Sequence, residues 1–232
     1  LRPKRTDEIG VLAGTMDQFA DHLQMVLNGN LQKLAAGDLA VQVTFMDERD
    51  EIAAAEQQIV DALRGLLTET NHLTHAAVAG NLAARGHPDQ FRGGYREIVQ
   101  GINDTLDAVI SPLNVAAEYF ERIAKGNVPA KITDQYNGDF NEIKNNLNQC
   151  IDAINTLVAD ANRLQQAAVN GQLSVRADVA RHQGDFRKIM QGVNDTLDAV
   201  IGPLNVAAEY VDRISKGDIP AKITDKYNGD FN

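Results

Sequence analysis

GINDTLDAVISPLNVAAEYFERIAKGNVPAKITDQYNGDFN, residues 101–141, returns as GVNDTLDAVIGPLNVAAEYVDRISKGDIPAKITDKYNGDFN at residues 192–232. Of the 41 positions, 33 are identical, at an offset of 91 residues. Two faces of one globular core would not need the same side chains in the same order. Similarity at a fixed period is the mark of a repeated structural unit.

A half-period lies inside the repeat. A glycine followed by apolar residues recurs at Gly37, Gly80, Gly126, Gly171 and Gly217, and an isoleucine at Ile9, Ile52, Ile98, Ile143 and Ile189. From each Ile to the next Gly is always 28 residues, whereas the way back is 15, 18, 17 or 18. Segments of fixed length that end in Gly fit helices of four heptads, ~42 Å long at ~1.5 Å per residue. Lys125 and Lys216 before Gly126 and Gly217 suit a helix C-terminus with a left-handed cap. Asp50 before Ile52, and Asp139 with Glu142 at capping-box spacing, predict helix starts.

The helical segments carry narrow apolar seams. Phe140, Ile143, Leu147, Cys150, Ile154, Leu157, Ala161, Leu164 and Ala168 alternate spacings of 3 and 4, which is a coiled-coil seam. Phe186 to Ile214, and likewise Tyr95 to Ile123, contain two consecutive fours, a stutter that shifts the seam locally. The stutters fall on Pro203 and Pro112, where the proline both opens a new helix and marks the change of phase. A seam this narrow needs a second chain or a second segment. A connector of ~15 residues can run back along half a helical segment, pinned by its apolar residues, so that the next helix lies parallel to the last.

Composition agrees with thin helical packing. The 232 residues include 30 Ala, 18 Gly and no Trp. The net charge of −10 argues against nucleic acid as the main partner. The single Cys150 excludes a disulfide framework and is read as a small buried seam residue. No apolar run reaches the ~18 residues of a membrane span. Leu1 in place of an initiator Met suggests an excised fragment, and Arg2, Lys4 and Arg5 read as an exposed helix flank. His72 and His75 lie three apart on a helix without a further ligand at metal-binding spacing, and are read as exposed. Gly93–Gly94 lacks the ending of a phosphate loop. Glu56, Gln57 and Gln58 are read as a solvated helix face with one seam Glu. No catalytic constellation, cofactor site or small-molecule site is expected.

Three motifs together resemble the HAMP domain family, parallel four-helix relay modules of bacterial receptors, sensor histidine kinases and chemoreceptors. A Pro near the start of a first helix matches Pro112 and Pro203. The connector Gly-x-apolar-x-x-x-apolar matches Gly37 with Leu39 and Val43, Gly126 with Val128 and Ile132, and Gly217 with Ile219 and Ile223. Gly80 and Gly171 open connectors in which Gly86 and Ala177 replace the second anchor. The second-helix motif Asp-Glu-x-Gly matches Asp7, Glu8, Ile9 and Gly10. It persists as Asp50, Glu51, Ile52 and Ala53, is reduced to the acid at Glu97 and Glu142, and is lost at Lys188.

The resemblance implies an all-α, parallel homodimer of four-helix modules stacked end to end as a rod. Residues 1–18 would be the second helix of a partial module. Modules 1 to 4 would occupy 19–63, 64–109, 110–154 and 155–200, and an incomplete fifth 201–232. The implied function is non-enzymatic signal relay between an upstream sensor and a downstream kinase or kinase-control domain, in chemotaxis or two-component signalling. The second copy of the chain would be the direct partner, and the location the cytoplasmic part of a receptor. The alternative is a structural spacer or interaction scaffold without signal conversion.

Overall fold

A computed structural model describes residues 6–231, and the side chains of all of these except 26–28. Arg2, Lys4 and Arg5 lie outside the described residues. The fold is all-helical, with 71% helix and no strand among the described residues. Two compact units divide it, Leu1–Ser111 and Pro112–Asn232.

The first unit opens with α1 (Glu8–Gln24), a π-helical turn (Met25–Asn30) and the short α2 (Leu31–Ala35). The sequence predicts one unbroken helix here. Its MVLNGN stretch contains Gly and two Asn, poor helix formers that let the ladder widen. Then come α3 (Glu51–Val78) and α4 (Gly93–Ala124), with a 3-10 turn at Pro88–Gln90 between them. The unit boundary falls inside α4.

The second unit contains the rest of α4, then α5 (Gly138–Val169), a 3-10 turn at Val179–Arg181, α6 (Gly184–Ser215) and a last 3-10 turn at Gly229–Phe231. α5 carries two separate clusters. Leu147 and Ile151 pack with Ala116 and Ile132, whereas Leu164 packs with Ala177 and Met190. Ile151 and Leu164 are 13 residues apart, about 20 Å of helix. One rigid element therefore serves two cores in succession.

Three helices start earlier than the sequence suggests. α3 has the expected 28 residues, but α4, α5 and α6 each have 32, beginning at Gly93, Gly138 and Gly184 rather than at Ile98, Ile143 and Ile189. Each of these glycines sits at φ +53, a left-handed value that turns an extended connector straight into a helix. The aromatic two residues on (Tyr95, Phe140, Phe186) is half-buried in each case. Asp139 thus lies inside the first turn of α5 instead of capping it, and the cap residue Asn137 makes no side-chain bond.

The prolines do not open new helices. Pro112 and Pro203 lie within α4 and α6, which run on past them. Each costs one ladder bond, and the turns on both sides keep the rest.

Candidate functional site

The recurring feature of the chain is a glycine, an extended connector and the helix onto which that connector folds. Gly37, Gly80, Gly126, Gly171 and Gly217 take φ between +72 and +84. At Gly126 the Asn127 N–H donates to Arg122 O at 2.9 Å and the Gly126 N–H to Ile123 O at 2.9 Å. The same two bonds recur at the other four glycines. This is the Schellman termination, which ends a helix on two of its orphan carbonyls and aims the chain away.

Three of the connectors are then fastened by polar pairs at fixed offsets. In the connector after Gly126, Lys131 Nζ lies 2.6 Å from Asp152, and Asn148 straddles Ile132. Asn148 Oδ1 accepts from the Ile132 N–H at 2.8 Å and its Nδ2 donates to the Ile132 carbonyl at 3.0 Å. Lys144 Nζ donates to Asp134 O at 3.3 Å. Rising connector numbers (131, 132, 134) meet falling helix numbers (152, 148, 144), so the connector runs antiparallel to α5. A chain that climbs a helix, descends a connector and climbs again has parallel helices.

The same grip recurs on either side. Asn103 clasps Gly86 through bonds of 2.8 and 3.0 Å, and Asn194 clasps Ala177 through 2.8 and 2.9 Å. Arg85 reaches Asp107 and Arg176 reaches Asp198, each at 2.6 Å, while holding two carbonyls of their own connectors. Asn and Asp are four apart on every one of these helices and so share a face. Both backbone groups of the clasped residue are satisfied by one buried or half-buried amide, each bond contributing about 1 kcal/mol.

The apolar anchors are less uniform. Val128 is half-buried and Ile132 buried, against Leu147 and Ile151. Gly86 and Ala177 bring the backbone itself onto the helix; a Cβ on Gly86 would lie 2.8 Å from Val99 Cγ1. Burial moves down the connector instead. Phe91 is buried after Gly86, and His182 stands 91 residues later. His182 Nε2 is 2.8 Å from Asp160 Oδ2, both side chains being 1% exposed, and Arg181 and Arg163 approach the other oxygen at 3.2 and 3.5 Å. In the earlier copy Glu69 faces His87 at 3.1 Å.

The first connector lacks this grip. Gln42 and Gln57 occupy the places of the connector cation and the clasping Asn, and Gln57 Nε2 donates instead to Asp61 at 2.8 Å. The exposed Arg64 holds the carbonyls of Leu39 and Val41, both at 2.8 Å. Val41 is the buried residue here, and the expected anchors Leu39 and Val43 are half-buried. Asp50 caps α3, accepting from Ala53 N–H at 2.9 Å and Met46 N–H at 3.0 Å. Those two bonds, and then His22 at 3.1 Å, hold its carboxyl below the usual value. Asp7 caps α1 in the same way, accepting from Gly10 N–H. Glu56 is the acid expected on the α3 seam. It is buried, 3% exposed, and neither carboxylate oxygen has a partner, because α3 turns this face inward.

The remaining expected residues are placed as follows. Glu8, Glu51, Glu97 and Glu142 are exposed in or just past the first helical turns. Ile219 and Ile223 are 85% and 46% exposed; in the earlier copy the cover for Ile132 comes from α5. Arg213 holds Asp218 at 2.7 Å and lowers its carboxyl. Cys150 is exposed in the single chain, because the covered face of α5 runs through Leu147, Ile151, Asp160, Leu164 and Ala167. That face coincides with the predicted seam at only two residues. His72 and His75 are exposed, and no group of three or more His, Cys, Asp or Glu among the described residues could hold a metal. No described helix is long and apolar enough to cross a membrane.

Sequence reasoning missed Asn103, Asn148 and Asn194 with their companions Asp107, Asp152 and Asp198. The signal was present. Each Asn falls five residues after the repeating Ile, each Asp nine after, and a cation five after the connector Gly.

A family model described as HAMP domain matches residues 90–156 and again 181–232. The two matches begin 91 residues apart, the offset of the internal repeat. No curated protein and no solved structure matches the chain.

Proposed function

From the premise that this chain belongs to the HAMP domain family, in tandem copies, we propose that it is a relay array carrying a conformational signal from an upstream sensor to a downstream output domain. HAMP domains in general are non-catalytic signal-relay modules that sit between sensor and output domains and are typically dimeric. In this reading the chain pairs with a second copy in parallel register, in the cytoplasmic part of a receptor of chemotaxis or two-component signalling. The modules divide at 19–63, 64–109, 110–154, 155–200 and 201–232, after a partial one at 1–18.

One observation supports the reading most: α5 is the second helix of one core and the first helix of the next. A rotation or axial shift of α5 at Ile151 is felt at Leu164, with no loop between them to absorb it. Straight-seam and stuttered segments alternate, so neighbouring modules rest in different packings, and a signal converts as it passes. Relay needs two packings within a few kcal/mol of each other. Small residues at Ala116, Ala161 and Ala207 hold the seam less firmly than Leu. The glycines, Pro112 and Pro203, and the anchors Leu39, Val43, Val128, Ile132, Ile219 and Ile223 set connector geometry, while Glu8, Glu51, Glu97 and Glu142 mark the junctions.

Inserting or deleting one residue at Asn155 in the full-length parent tests this. A relay locks or inverts its output, because the second cluster on α5 rotates about 100° against the first. Unchanged output would make the array a spacer.

A further inference from the structure

We propose that the first module, residues 19–63, is the convertible element of the array, while the connectors after Gly80, Gly126 and Gly171 are locked in one register. Its use as a switch rests on the relay reading; its lability stands on separate observations within the first unit.

Five differences converge on this segment. The backbone of the second anchor, Val43, has no clasping Asn, because Gln57 is turned to Asp61. Asp61 has no connector cation opposite it, since Gln42 stands where the other connectors carry Arg or Lys. The connector is held instead through Leu39 and Val41 by Arg64, a long exposed side chain that fixes carbonyls alone. The first helix is interrupted by the π-helical turn Met25–Asn30. A wide turn of this kind breaks the regular ladder and offsets the phase of the residues on either side. Finally, the module buries polar groups without satisfying them. Both Glu56 oxygens lack a partner among the described residues. An unsatisfied buried carboxylate raises the energy of the packing that contains it, which brings a second packing within reach.

The locked connectors show the opposite combination. Each has both backbone groups of the sixth residue after its glycine paired to one Asn, and a cation paired to the Asp one turn along. Such a connector and its helix move as one body.

Amide hydrogen exchange on the whole chain, read by NMR or mass spectrometry, tests this. The amides of Gly86, Ile132 and Ala177 are expected to exchange at least tenfold more slowly than that of Val43. Residues 25–35 are expected to exchange faster than the ends of α4 and α5. Transplanting the lock with Gln57→Asn and Gln42→Arg should slow Val43 at least tenfold, and Glu56→Leu should slow residues 25–35. Equal protection of Val43 and Ile132 in the unaltered chain would overturn the proposal, as would a transplant that folds and leaves Val43 unchanged. Exchange is read without any output domain. The expected pattern combined with an array that tolerates insertion at Asn155 would remove the relay and leave the labile module standing.

Discussion

The connectors after Gly126 and Gly171 are clasped by the same polar pair and filled by different chemistry. The first buries Ile132 against Leu147 and Ile151. The second puts Ala177 under its Asn and buries the pair His182–Asp160 further on. What stays constant is the register, set by Asn148 or Asn194 and the acid one turn along. What varies is the filling. The polar grip specifies where the connector lies, and the apolar or ionic residues supply cohesion once it lies there.

The largest expected effect breaks the ionic filling. Asp160→Ala leaves His182 buried with no partner and should destabilise the second unit by about 3–5 kcal/mol in chemical unfolding. The double variant Asp160→Leu with His182→Phe, which installs the kind of residue found at Phe91, should come close to the parent. If the double variant is as damaging as the single, the filling is not interchangeable and the contrast fails. Next comes the apolar filling: Ile132→Ala should cost about 2–4 kcal/mol. Gly86→Ala should cost about 1–3 kcal/mol by overpacking against Val99, although its backbone is not left-handed.

Smaller still is the clasp. Asn148→Ala should cost about 1–3 kcal/mol and expose the Ile132 amide to exchange, leaving Ala177 protected. Loss of protection at both would mean that the clasps are not independent. The smallest effect is the cap of the first module. Asp50 has a lowered carboxyl, so its stabilisation is fully present above the ordinary carboxylate value near 3.8 and fades as pH falls through the lower folded value. An acid titration of Asp50→Asn should lose that component of the pH dependence, and an unaltered profile would count against the cap.

Much of this fold could be read directly from the residues. The five glycines were recognisable because a left-handed backbone value is a demand that few other residues meet. The tandem period followed from plain identity. The helix starts at Gly93, Gly138 and Gly184 were hidden because glycine is a poor helix former and gives no propensity signal at a helix beginning. The Asn clasps were hidden for another reason. An amide on a helix surface resembles any solvated residue until the connector is known to lie across it. Asp160 and His182 are 22 residues apart, so only the folded path brings them together. Glu56 was legible as an acid on the α3 seam, but that both its oxygens go unpaired depends on what the fold sets around it.

The proposed relay requires a parallel dimer in register. Cys150 offers the most direct measurement of it, because it lies on the predicted seam of α5 and is exposed in the single chain. Mild oxidation of the whole chain followed by a non-reducing denaturing gel should give a species of about twice 25.2 kDa, reversed by reductant and absent from Cys150→Ser. A chain that stays at 25.2 kDa while its thiol reacts freely with a small alkylating reagent would contradict it.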